Sequence, residues 1–127
     1  MSQTMEFSEK EIAAVYKAAN LMAIADGNVT DDEKLVIKEH LKKLCPQVLP
    51  MQAIEQDANE MEGVEVISIL SRLSIEQKKY ACGYLAAVME ADGKIHAKEE
   101  DLWTFMALLT AFPINNYREA IDFWSII

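Results

Sequence analysis

The sequence predicts an all-α fold of about seven helices in a single domain, and three observations carry that expectation. Only four Gly and three Pro occur in 127 residues, too few for a turn-rich β-fold. Apolar residues make up 51% of the chain, and most recur at the i, i+3, i+4, i+7 spacing of an amphipathic helix. Three capping patterns, Ser8 with Glu11, Thr30 with Glu33 and Ser74 with Gln77, each place a hydroxyl three residues ahead of a Glu or Gln, the arrangement that satisfies the first free N–H groups of a helix.

Taken in order, the first helix starts behind Ser8, carries Ile12, Val15, Tyr16, Ala19 and Met22 on one stripe, and runs toward Ala25, ending near Asp26-Gly27. The second opens at Thr30-Asp31-Asp32-Glu33, where acids in the first turn complement the helix dipole. It buries Val36, Ile37, Leu41 and Leu44 and stops before Pro46. Pro50 suits the first turn of a third helix through about Met61. Its Glu55, Asp57, Glu60 and Glu62 have no Lys or Arg among them, which predicts a largely solvated element.

Behind Gly63, the run Val64, Val66, Ile67, Ile69, Leu70 and Leu73 suits either a short buried helix or a strand; helix is expected because a lone strand would have no partner. The fifth helix opens at Ser74 and turns Ala81, Tyr84, Leu85 and Val88 inward until Asp92-Gly93. The sixth, His96 to Ala111, presents Leu102, Phe105, Met106 and Leu109 as its apolar face. Pro113 ends it before a last amphipathic helix with Tyr117, Ile121 and Trp124.

A chain of this length supports one core without metals or disulfides. Cys45 and Cys82 stand singly in helical surroundings with no CxxC spacing, and read as buried thiols. Asp plus Glu outnumber Lys plus Arg by 21 to 12, a net charge of −9, which repels phosphate backbones and argues against a nucleic-acid partner. The N-terminal segment lacks the basic start and apolar stretch of a secretory signal. The uncharged stretch from Leu102 to Tyr117 is broken by Thr, Pro and Asn. A cytoplasmic protein with no membrane insertion is the expectation.

A shift of 66 residues lays Ala25-Asp26-Gly27-Asn28-Val29-Thr30-Asp31-Asp32-Glu33 onto Ala91-Asp92-Gly93-Lys94-Ile95-His96-Ala97-Lys98-Glu99. Ala, Asp, Gly, the β-branched residue and the final Glu coincide. The pattern predicts two antiparallel helical hairpins about a pseudo-twofold axis: repeat one at about 8–45, a connection at 46–73, repeat two at about 74–112 and a C-terminal helix at 113–127. Each shared residue has a structural use. The glycines end helices in the left-handed conformation, Val29 and Ile95 plug the turn, and Glu33 and Glu99 close capping boxes. Thr30 is a good cap and His96 a poor one.

The same motif matches the second half of a calcium-binding EF-hand loop, with Glu33 and Glu99 at the bidentate place. The first half is missing: Met22 and Ile24 in copy one, and Val88 and Glu90 in copy two, stand where the first ligands belong. No single loop can supply the usual six to eight oxygens. If the pseudo-twofold brings the loops together, Asp26, Glu33, Asp92 and Glu99 form a weak, Ca²⁺-like divalent-cation site, with Thr30, Asp32 and His96 as lesser candidates.

The doubled motif from Ala25 to Glu33 and Ala91 to Glu99 resembles the TerB family of tellurite-resistance proteins over about residues 8–112. The resemblance implies an all-helical cytoplasmic domain of bacterial type, tied to tellurite resistance and stress responses, with metal bound by acidic loop residues and no enzymatic activity. His96, Ala97 and Lys98 replace Thr30, Asp31 and Asp32 in the second copy, a departure that separates the ligand capacities of the two loops.

No catalytic constellation is visible: His40 and His96 belong to no HExxH or Glu-x-x-His pattern, Cys45 and Cys82 lack the electropositive setting of a reactive thiol, and Met22, Met89 and Met106 read as core filler. His40 is expected on a helix surface. The alternative to a metal-binding module is a protein-interaction or scaffold domain. It is motivated by Phe123-Trp124-Ser125-Ile126-Ile127, which either seals the chain's own core or docks a partner protein or a second copy to form a homodimer.

Overall fold

The computed structural model describes residues 6–24, 30–45, 49–90, 97–114 and 116–127. Among them the chain forms seven helices and no strand: α1 (Glu9–Ile24), α2 (Asp31–Leu44), α3 (Met51–Glu60), α4 (Gly63–Ser71), α5 (Ile75–Met89), α6 (Ala97–Leu109) and α7 (Tyr117–Ile126). The all-α expectation holds, and the apolar run behind Gly63 is a helix. No helix of the described residues is long and apolar enough to cross a membrane.

The three capping patterns are all formed. Ser8 Oγ accepts from the Glu11 N–H while Glu11 accepts from the Ser8 N–H. Thr30 with Glu33 and Ser74 with Gln77 close the same reciprocal pair. α7 is capped by Asn116, whose Oδ1 accepts from the N–H groups of Arg118 and Glu119.

α1 and α5 lie against each other at the centre, and the remaining helices pack around them. Both are rich in small residues: Ala13, Ala14, Ala18, Ala19 and Ala23 on α1, and Ala81, Gly83, Ala86 and Ala87 on α5, are all buried. α2 packs on α1 and on α5; α6 packs on α5 and on α1. α3 and α4 cover α1, and α7 covers α5. A shift of 66 residues carries Glu9 onto Ile75, Asp31 onto Ala97 and Met51 onto Tyr117, so the starts of three helices coincide with the starts of three others. Only α4 has no counterpart.

The approach of α7 to α5 is close. A Cβ placed on Gly83 would lie 3.3 Å from the Ala120 carbonyl oxygen, 3.3 Å from Trp124 Cβ and 3.4 Å from Phe123 Cδ2. Trp124 is the bolt of this contact. Its ring lies 6.0 Å from Tyr84 and 5.9 Å from His40, Lys43 Nζ stands 4.8 Å over it, and Lys43 also donates to the Trp124 carbonyl. The C-terminal segment therefore seals the chain's own core through Trp124, while Ile126 at 81% exposure does not take part.

Two expectations fail. α6 turns Trp103, Met106 and Ala107 inward, not Phe105 and Leu109, which are 58% and 49% exposed. The helix is apolar on more than one face, so the stripe could be placed either way, and the largest ring, Trp103, decides it by filling the core and donating to the Cys82 carbonyl at 3.3 Å. His40 is not a free surface residue: it is half-buried, and its Nδ1 accepts from the Trp124 indole N–H at 3.1 Å.

α6 ends in a Schellman turn. The Phe112 N–H reaches the Ala107 carbonyl and the Ala111 N–H the Leu108 carbonyl, with Ala111 at φ 55° where glycine is the usual residue. The Cβ of an alanine costs energy in that left-handed conformation. Ala111→Gly is expected to raise stability by about 1 kcal/mol and the melting temperature by roughly 3–5 °C; an unchanged or lower melting temperature by circular dichroism contradicts the strain.

The bond from Trp124 requires a neutral His40 ring protonated on Nε2. Burial first, and then the charge of Lys43, push the His40 pKa down, against a smaller opposing effect of Glu39. The unfolded chain therefore takes up a proton that the folded chain resists. This contribution to stability is complete above a pH of about 6.5 and is lost as pH falls below it. Between pH 7.5 and 5 the wild type should lose about 1 kcal/mol more than His40→Gln, whose side-chain carbonyl accepts the same bond without titrating. Equal losses in chemical denaturation would refute the coupling.

Candidate functional site

At the first loop–helix junction, Thr30 and Glu33 are committed to the start of α2. Glu33 Oε1 accepts from the Thr30 hydroxyl at 3.1 Å and from the Thr30 N–H at 3.3 Å, and the Glu33 N–H donates back to Thr30 Oγ1. Glu33 is half-buried, while Asp31 and Asp32 are exposed. At the second junction Glu99 sits in the first turn of α6 at 5% exposure. Asp26, Asp92, His96 and both loop glycines lie outside the described residues. Among the described residues, no three of His, Cys, Asp and Glu are grouped closely enough to hold a metal ion.

Cys45, Cys82, Tyr84 and His40 are held in unreactive forms. Burial pushes both thiols, Cys45 and Cys82, up to about 12, so neither supplies a thiolate near neutral pH. The Tyr84 hydroxyl is fully buried and donates to the Ile37 carbonyl at 3.2 Å. His40 is occupied by Trp124.

A concavity of a different kind lies between α1, α2 and α3. It has a volume of about 420 Å³ and is lined by Tyr16, Lys17, Asn20, Leu21 and Ile24 from α1, Lys34 and Lys38 from α2, and Glu55, Ala58 and Asn59 from α3. Helical spacing explains the lining: residues three and four apart share a face, which puts Lys17 with Asn20 and Leu21, Lys34 with Lys38, and Glu55 with Ala58 and Asn59. At its floor, Lys38 Nζ lies 3.0 Å from Glu55 Oε1, which also accepts from the Tyr16 hydroxyl at 3.3 Å. The Asn20 amide donates to the Tyr16 carbonyl at 2.8 Å. Burial first and then the Glu55 carboxylate raise the Tyr16 pKa, and the hydrogen bond and charge of Glu55 raise that of Lys38. The hydroxyl and the ammonium thus both stay protonated around one shared carboxylate.

No family model and no curated protein matches the chain. Among solved structures, the crystal structure of a protein of unknown function from Porphyromonas gingivalis W83 is similar, with 28% sequence identity and a TM-score of 0.81 over 98% of this chain and 95% of that one. The two share an architecture over nearly their whole lengths.

None of the groove residues stood out in the sequence, because each is unremarkable alone. Lys34 and Lys38 are ordinary charged residues of an amphipathic helix, and Glu55 belongs to an acidic run on α3. The signal available was the pairing of two cations four residues apart on α2 with an amide and aliphatic ladder on α1. It becomes informative only once α3 is known to lie beside both.

Proposed function

We propose that this chain is a non-enzymatic binding module of the TerB-like type, and that its two duplicated loop–helix junctions take a divalent cation weakly through Asp26, Glu33, Asp92 and Glu99. The observation that carries this reading is the common register of the two halves. Three helix pairs start 66 residues apart, and each half sends its second helix onto the first helix of the other, α2 onto α5 and α6 onto α1. Such crosswise packing supports a pseudo-twofold relation between the two halves.

The capping role of Glu33 and the proposed cation role are compatible, since a carboxylate has four lone-pair directions and the cap uses one oxygen. A site assembled from carboxylates of two loops and completed by water would bind on the order of 10⁻⁴ to 10⁻³ M. The unreactive state of Cys45, Cys82 and His40 favours binding over catalysis. The TerB resemblance supplies the setting, a cytoplasmic role in tellurite resistance or stress response.

NMR titration with Ca²⁺, Mg²⁺ and Zn²⁺ tests the proposal. Saturable shifts of the Gly27 and Gly93 amides are expected with at least one ion, reduced at least about tenfold in affinity by Glu33→Gln or Glu99→Gln and retained in Asp57→Asn on α3. A flat titration, or one indifferent to both substitutions at the junctions, removes the cation from the reading.

A second reading, protein docking, is favoured by one surface observation. Phe105, Leu108 and Leu109, at 58%, 72% and 49% exposure, share one face of α6. A second copy or another protein would cover them. A concentration-dependent dimer in light scattering that Leu108→Glu converts to monomer supports this reading; a monomer throughout the range excludes the homodimer.

A further inference from the structure

We infer that the groove between α1, α2 and α3 is a binding site for a small organic anion with an apolar body. Three observations carry the inference, and none depends on the cation reading above.

The first is charge. The chain is strongly acidic, with a net charge of −9, yet the groove gathers three lysines against one carboxylate. That carboxylate is spent. Glu55 is bound by Lys38 at 3.0 Å and by the Tyr16 hydroxyl at 3.3 Å. Lys17 and Lys34 form no ion pair among the described residues, so on those residues the groove wall offers two ammonium groups with no carboxylate bound to them. An anion entering there meets attraction from the wall and a floor already neutralised.

The second is the mixture of surfaces. Leu21 and Ile24, 39% and 50% exposed, stand on the same wall as Lys17 and Asn20. Water gains nothing from these aliphatic groups, whereas an apolar ligand body would remove them from solvent. A volume of about 420 Å³ falls in the range of small-molecule sites and is too small for a folded partner.

The third is an internal comparison that the fold itself provides. The 66-residue shift carries Tyr16, Lys17, Asn20 and Leu21 onto Cys82, Gly83, Ala86 and Ala87, and Lys34 and Lys38 onto Glu100 and Thr104. In the second half all four α5 positions are small and buried, and α7 presses directly onto Gly83. In the first half Lys17 stands in the place of that glycine. The groove therefore stands where the first half carries larger and more polar α1 side chains, Lys17 above all, at positions that are small and buried on α5.

The test is heteronuclear NMR titration of the whole chain with 4-methylbenzoate, its uncharged analogue 4-methylbenzamide, and inorganic phosphate. The benzoate should shift the amides of Lys17, Asn20 and Lys34 saturably, with an affinity at least about tenfold above that of the amide. Lys17→Gln with Lys34→Gln should weaken it by at least about tenfold, while Lys98→Gln at the start of α6 leaves it unchanged. Neither lysine side chain has a hydrogen-bond or ion-pair partner among the described residues, so circular dichroism should show the double variant fully folded. Equal binding of the neutral amide, or indifference to the double variant, would overturn the charge recognition. Phosphate as tight as the benzoate would overturn the apolar component, and no saturable shift with any probe up to millimolar concentration would overturn the site.

Discussion

The structure depends on the mutual burial of two helices with small side chains. α1 and α5 are covered on nearly all sides, and alanine and glycine allow their neighbours to approach the backbone closely. Alanine brings no rotamer entropy to lose and is the best helix former, so a buried alanine-rich helix is stable as a helix even though each residue removes little area from water. Larger side chains on the surrounding helices then supply the hydrophobic area. Ile37, Leu41, Leu44, Ile54, Leu70 and Trp103 are all at most 1% exposed, and each belongs to an element that leans on the central pair. The polar atoms this architecture buries are satisfied: Tyr84 donates to the Ile37 carbonyl and Trp103 to the Cys82 carbonyl, which avoids the cost of leaving a buried donor without an acceptor.

From this common frame the two halves diverge at their third helices. α7 is drawn hard onto α5, because Gly83 offers no side chain and Trp124 reaches across to His40, Lys43 and Tyr84. That one residue joins the end of the chain to the second helix of the opposite half. At the matching position α3 carries Ala58, which buries little and reaches nothing beyond its immediate neighbours. α3 is held by the burial of Ile54 and Ala58 against α1 and, beside them, through Glu55 with Lys38 and Tyr16. An exposed ion pair of this kind contributes at most about 1 kcal/mol, far less than a buried tryptophan. The groove lies beside α3, whereas α7 presses directly onto Gly83 of α5.

Much of this was legible in the sequence where the signal is local. Capping depends on side-chain chemistry within four residues, so Ser8, Thr30 and Ser74 marked three helix starts, and Pro50 sits at the N-cap of α3. Most of the duplicated loop motif lies outside the described residues, but the helices that flank it start at the same 66-residue spacing, Glu9 with Ile75 and Asp31 with Ala97. Legibility failed where burial is decided by distant partners. α3 and α7 start 66 residues apart, yet Met51-Gln52-Ala53-Ile54 and Tyr117-Arg118-Glu119-Ala120 share no chemistry, so the correspondence was hidden and α3 read as part of a connection. α6 is apolar around much of its circumference, and nothing local separated the buried Trp103 from the exposed Phe105. His40 gained its role from a residue 84 positions away.

The same contrast governs function. A carboxylate in a loop motif announces itself, because Asp-Gly-x-(Val/Ile)-x-x-x-Glu is short and repeated, but its announcement is ambiguous: the geometry that would offer an oxygen to a cation also closes a capping box, and at Thr30–Glu33 the cap is formed. A groove is silent in sequence and unambiguous in its chemistry once formed, because charge, amide and aliphatic groups from three helices must converge without any one of them being unusual. In a chain whose surface repels anions at long range, two lysines without an ion-pair partner among the described residues, beside aliphatic groups, would attract an anion only within about the 10 Å over which salt screens such fields. Recognition by this surface would then rest on the fit and burial of the ligand's apolar body, with charge selecting among molecules that already fit. That ordering favours a compact amphiphilic anion over the extended polyanions that the chain's overall charge turns away.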